Sequence, residues 1–125
     1  LAGELVARLT DAGIDQEDIY LDPMVRPAGS GEGYGLEAVN AIRGIRLNLP
    51  EIHIVCGLSN ISYGLPKREL INRTFLVAAM TAGLDSAILD PLDKDLMAAL
   101  YAARAVLGQD EYCMDYLCAY RDEKL

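Results

Sequence analysis

At 125 residues and 13.6 kDa the chain has room for one domain. Apolar residues make up 52% of it and charged residues 24%, which excludes a disordered chain, because enough apolar surface is present to offset the entropy of ordering. Nineteen acidic against eleven basic residues give a net charge of −8 with no basic stripe, so no nucleic acid is expected as a partner.

No apolar run approaches the roughly 18 residues of a membrane span, and no basic-then-apolar leader opens the chain, so no membrane contact is expected. The first residue is Leu1 rather than Met, which reads as a processed chain, an excised piece or a subunit. Cys56, Cys113 and Cys118 are odd in number and form no CxxC, so reduced thiols in a cytoplasmic protein are the expectation. The single His53 has no second His or Cys at ligand spacing, so no metal site is expected.

In chain order, Leu5, Val6, Leu9 and Ala12 form one helical stripe over 1–12, stopped by Gly13. The run 19–25 reads as a buried strand. A Gly-rich stretch, Gly29 to Gly35, precedes a helix over about 36–47. A second strand covers 52–58 and ends in Ser59-Asn60. A helix over about 67–82 is stopped by Gly83, and a third strand covers 86–89. Asp93 caps a helix running to about Leu107. The tail, 110–121, reads as one more helix, with Tyr112, Tyr116 and Tyr120 along one face. The scattered methionines fill core gaps.

Strands alternating with helices predict an α/β fold with right-handed crossovers and a parallel sheet covered on both faces. Leu21-Asp22-Pro23 and Leu89-Asp90-Pro91 both end strands and lie 68 residues apart, with Asn60 between them, as two βα units would place them. That spacing suits a (β/α)8 TIM barrel, but a whole barrel needs about 250 residues. About three parallel strands alternating with helices therefore predict the C-terminal part of one, residues 1–125 being a single piece of a barrel domain.

Chemistry in such a protein gathers where the strands end. Asp22 there can accept two hydrogen bonds from a ring N–H and an exocyclic amine. Asn60 offers a donor and an acceptor, so it can follow an atom whose protonation changes. For each of these, and more strongly for Asp90, the competing reading is an Asx turn or a helix cap, and Arg26 offers Asp22 a plain ion pair. The Gly29–Gly35 run is no phosphate loop: no GxGxxG or GK[ST] reads in frame, and Glu32 opposes an anion, so a mobile barrel loop is expected.

Three stretches go further: Gly57-Leu58-Ser59-Asn60-Ile61-Ser62-Tyr63-Gly64, then Arg68 to Leu76 (RELINRTFL), then Ala82 to Asp90 (AGLDSAILD). Together they resemble the methyltetrahydrofolate:corrinoid/iron–sulfur protein methyltransferases. These are pterin-binding barrels, grouped with the folate module of cobalamin-dependent methionine synthase and with dihydropteroate synthase. The resemblance implies methyl transfer from N5 of methyltetrahydrofolate to the Co(I) of a corrinoid (cobalamin) held by a partner protein. Separately, an open three-stranded parallel sheet leaves two unpaired edges and an apolar face, so a homo-oligomer such as a homodimer is expected. The resemblance further implies that Asn60 stabilises the protonated N5 and that Asp22 grips the pterin ring. Ser59 and Ile88 then line the mouth of the site, and Arg68 lies near the folate tail. The family draws further pterin contacts, another Asp and another Asn, from the first half of the barrel, which is not in this chain, and Tyr63 stands where a Gln is common. A different reading is a non-catalytic half-barrel that binds a pterin or a corrinoid protein. Dihydropteroate synthase chemistry is disfavoured, since it uses a Lys and an Arg at strand ends that here carry Asn60 and Asp90.

Overall fold

The computed structural model describes all 125 residues. Five α-helices and three strands follow the expected order: α1 (Ala2–Asp11), β1 (Tyr20–Leu21), α2 (Tyr34–Asn48), β2 (His53–Gly57), α3 (Arg68–Ala82), β3 (Ser86–Ile88), α4 (Lys94–Val106) and α5 (Met114–Arg121), with short 3₁₀ turns between them. The strands are parallel in the order β1-β2-β3, with Tyr20 opposite His53 and Val55 opposite Ser86.

The expectation of a sheet covered on both faces is corrected. Strands laid down in sequential order by right-handed crossovers place every connecting helix on the same side. Ile54 and Cys56 point to that side and are 0% exposed, packed with Ile42, Phe75, Leu76 and Leu84. Alternation turns Tyr20, His53, Val55 and Ile88 to the opposite face, which no helix covers, so Tyr20 is 58% and Ile88 72% exposed. Helices on one face of a sequential parallel sheet are the arrangement of a barrel wall. No helix is long and apolar enough to cross a membrane.

Helix α1 closes the other end with a small cluster, Val6 packing on Ile19 and Ile52. Asp93 caps α4 as expected, its Oδ1 accepting from the Leu96 N–H at 3.0 Å. Gly83 ends α3 at φ +121°, and a Cβ there would lie 2.7 Å from Arg46 Cβ. Gly83→Ala therefore meets both a forbidden backbone region and a close side chain, and is expected to cost about 2 kcal/mol or more in urea unfolding.

Two other expectations are corrected. The first strand, expected over 19–25, pairs only at Tyr20–Leu21. Pro23 has no N–H for a ladder, and Asp22 turns the chain by accepting from the Met24 N–H at 2.8 Å. The tail is not one helix: Tyr112 (φ +53°) and Cys113 (φ +57°) break it, so Tyr112 does not share the helical face of Tyr116 and Tyr120. Buried Asp110 starts α5 instead, its two carboxylate oxygens accepting from the Asp115 and Tyr116 N–H groups, each at 2.9 Å. Within the Gly-rich run, 28–30 forms a 3₁₀ turn, α2 begins at Tyr34, and Gly31 lies beneath the Tyr34 ring, where a Cβ would fall 2.2 Å from its carbons.

Burial, then the nearby Asp22 charge, pushes the Cys56 thiol up to about 11. Both causes disfavour the thiolate, the form that reacts. Under iodoacetamide at pH 8, exposed Cys113 and Cys118 are expected to alkylate, and Cys56 only after unfolding, as peptide mass spectrometry would show.

Candidate active site

Parallel strands all end at the same edge of the sheet, so the segments after β1, β2 and β3 present Asp22, Ser59, Asn60 and Asp90 together. Asp22 is exposed and spends one oxygen on the Asx turn to Met24, while Oδ2 makes no hydrogen bond within the chain. The competing ion pair with Arg26 does not form: that guanidinium pairs with Glu37 and lies 3.7 Å over the Tyr34 ring. Asp90 makes the Asx turn anticipated for it, Oδ1 accepting from the Leu92 N–H at 2.9 Å.

The Asp22 turn forces Met24 to φ +64°, a conformation costing roughly 1–2 kcal/mol for a residue with a Cβ. The next carbonyl, Val25 C=O, accepts from Asn60 Nδ2 at 2.6 Å. A carbonyl can only accept, so this contact assigns the amide: the NH2 faces Val25, and Oδ1 is left as the acceptor at the strand ends. Asp22 and Asn60 are thus joined through the Met24–Val25 backbone rather than by direct contact.

On the other side of β2, a cleft of about 440 Å³ brings together Ser59, Arg68 and Ile88 with Asn72, Asp90 and Asp93. Asp22 and Asn60 do not line it. Arg68 folds back onto the chain: its Nε donates to Ser62 Oγ at 3.0 Å and its NH2 to the Ser59 carbonyl at 2.8 Å. Asn72 was not singled out in the sequence; its Oδ1 is buried without a hydrogen-bond partner. A second, more apolar cavity of about 360 Å³ lies near Asp85 and Ser86, at the start of β3 and away from the polar strand ends.

His53 lies at the opposite edge of the sheet. Its Nδ1 is 2.8 Å from Asp85 Oδ2, and its ring stacks on Tyr20 with centroids 4.4 Å apart. Asp85 also accepts from the Ile54 N–H at 2.8 Å and faces Arg46 at 3.4 Å. This group ties β1, β2 and β3 at the end where barrels are stabilised rather than active. Asp85→Ala leaves the Ile54 N–H without its side-chain acceptor and is expected to cost about 1–3 kcal/mol on chemical denaturation.

Residues 3–90 match the model of the pterin binding enzymes, a span holding Asp22, Ser59, Asn60, Arg68 and Ile88. The chain belongs to that family. Over 107 residues, 86% of the chain, it is 43% identical to methylcorrinoid:tetrahydrofolate methyltransferase of Eubacterium limosum, covering 40% of that protein. It is 37% identical over 82 residues, 61% of the chain, to the methionine synthases of Mycobacterium tuberculosis and Mycobacterium leprae, covering 7% of each. The chain therefore spans well under half the length of these relatives. As a member of the family it carries its polar groups at the sheet edge where barrel chemistry is found.

Proposed function

We propose that the chain forms the C-terminal part of a pterin-binding barrel domain, and that it works in methyl transfer between N5 of tetrahydrofolate and the corrinoid of a partner protein. The observation behind this is the assigned Asn60 amide: with Nδ2 held by Val25 C=O, its Oδ1 is an acceptor fixed at the strand ends. The family membership and the name of the Eubacterium relative support the substrate pair. That name places the methyl on the corrinoid and the folate as acceptor. One transition state serves both directions, so the same residues act whichever way the methyl travels.

The cobalt of the corrinoid supplies the other end of the transfer. When the N5–methyl bond breaks, its electron pair goes to N5, a poor leaving group unless it carries a proton. Asn60 Oδ1 accepts a hydrogen bond from N5–H and holds that proton where positive charge resides. The interaction is strongest while N5 is protonated, so it favours the transition state over the neutral ground state. Asp22 Oδ2 accepts from the pterin ring N–H and amine edge. Ser59 and Ile88 line the mouth, and Arg68 lies toward the folate tail, along the cleft these three share. No protein nucleophile is required. The uncovered sheet face and its two unpaired edges need a cover, from the rest of a barrel or from a second copy in a homo-oligomer.

Calorimetric titration of the complete protein with 5-methyltetrahydrofolate tests the ring contact. Saturable binding is expected, weakened about tenfold or more by Asp22→Ala, the loss of about 1.4 kcal/mol or more that a charge-assisted contact entails. Unchanged affinity in Asp22→Ala would remove Asp22 from the site. The non-catalytic reading is favoured instead if folate binds but no methyl leaves it when cob(I)alamin is added.

A further inference from the structure

Asn60 lies in a tight 3₁₀ turn, Leu58–Ser62, whose apolar members Leu58 (1% exposed) and Ile61 (3%) are sunk in the core. Ser62, between them and the start of α3, is 0% exposed, although it is polar and not at the strand edge. Its hydroxyl donates to the Ser59 carbonyl at 3.0 Å and accepts from Arg68 Nε at 3.0 Å, while Arg68 NH2 reaches the same Ser59 carbonyl at 2.8 Å. Three groups therefore close a ring of hydrogen bonds behind the turn. In front of it, Asn60 Nδ2 is held by Val25 C=O. The turn is fixed on both sides, and the Asn60 side chain is the part left facing outward.

We propose that Ser62 is a positioning residue for Asn60, acting with Arg68 as a clamp on the Ser59 carbonyl that fixes the height and direction of the Asn60 acceptor. This rests on the reading of Asn60 given above and adds a residue that touches neither substrate. This hydroxyl has spent its only proton on a backbone carbonyl and is 0% exposed, so it cannot reach a ligand and its effect on the reaction passes through the turn. Arg68 is suited to the task because its planar fork reaches two acceptors at once, which the single ammonium of a lysine does not reproduce.

A double-mutant cycle in the complete protein tests this, measuring methyl transfer from 5-methyltetrahydrofolate to free cob(I)alamin for Ser62→Ala, Asn60→Ala and the pair. Ser62→Ala is expected to lower kcat about tenfold, the low end for loss of a supporting hydrogen bond, with KM for folate changed by less than about twofold. On the Asn60→Ala background the further loss is expected to vanish, and Ser62→Thr, which keeps the hydroxyl, is expected to recover most of the rate. Should Ser62→Ala not fold, Arg68→Lys opens the same clamp from the exposed side and enters the same cycle, read as kcat at saturating folate so that any lost contact to the folate tail falls in KM. An equal loss on both backgrounds, or no loss in either clamp variant, overturns the proposal. A wild-type rate for Asn60→Ala alone is a separate result, and it overturns the reading of Asn60 instead.

Discussion

Asn60→Ala is expected to lower the rate of methyl transfer about 10²–10³-fold, the range found when one fixed polar contact to a charge-bearing transition-state atom is removed. Folate affinity is expected to fall much less. The asymmetry follows from where the interaction is strong. In the ground state N5 is largely unprotonated and offers Oδ1 little, whereas at the transition state the N5–H bond is polarised toward it. Asn60→Asp is the sharper comparison. It places an oxygen where Nδ2 now donates to the Val25 carbonyl at 2.6 Å, setting acceptor against acceptor and swinging the side chain off its mooring. It is therefore expected to restore little of the rate, although it retains an acceptor. Steady-state assays that separate kcat from KM decide this. A raised KM with kcat unchanged would mean that Asn60 binds substrate without favouring the transition state.

Ile54→Ala is expected to destabilise the chain by about 3 kcal/mol, within the range for a large-to-small change at a closed core site. Ile54 is 0% exposed on the helix-facing side of the middle strand, so its removal leaves a hole bounded by α2 and α3. Val55, the next residue, points to the uncovered face, and Val55→Ala is expected to cost under about 1 kcal/mol. Urea denaturation of the two variants reads the contrast. Equal costs would show that the second face is packed in solution as firmly as the first, by a second copy or by further chain.

Much of the fold was legible because β2 and α3 carry long, strongly patterned stretches, and Gly83 marks a stop with a physical cause. The stretch 19–25 is apolar apart from Asp22 and so reads as a longer strand than forms, and only the missing N–H of Pro23 and the side-chain bond of Asp22 reveal where pairing ends. In the tail, three tyrosines spaced four residues apart resemble a helical face, while the left-handed pair Tyr112–Cys113 that breaks it has no glycine to announce it. One-sided cover depends on strand order, which local pattern does not encode.

The site divides in the same way. Asp22 and Asn60 stood out because short polar residues at the ends of apolar strands are conspicuous. Their connection did not, since it runs through the strained backbone of Met24 and the carbonyl of Val25, 35 residues from Asn60 in sequence. The resemblance sets Arg68 near the folate tail, but its bonds to Ser62 and the Ser59 carbonyl, six and nine residues back, are not legible in the sequence. Ser62 itself was hidden by its chemistry: a lone serine beside isoleucine and tyrosine looks like a loop residue until its burial is known.

The protonation state of N5 in the bound folate tests the central claim most directly. 5-Methyltetrahydrofolate labelled with ¹⁵N at N5, bound to the complete protein and followed by NMR through a pH titration, reports that proton at the reacting atom. The N5 pKa is expected to be higher in the complex than in free solution, because Asn60 Oδ1 favours the protonated form, and Asn60→Ala is expected to bring it back toward the free value. An N5 pKa that is the same in both proteins would contradict the role given to Asn60.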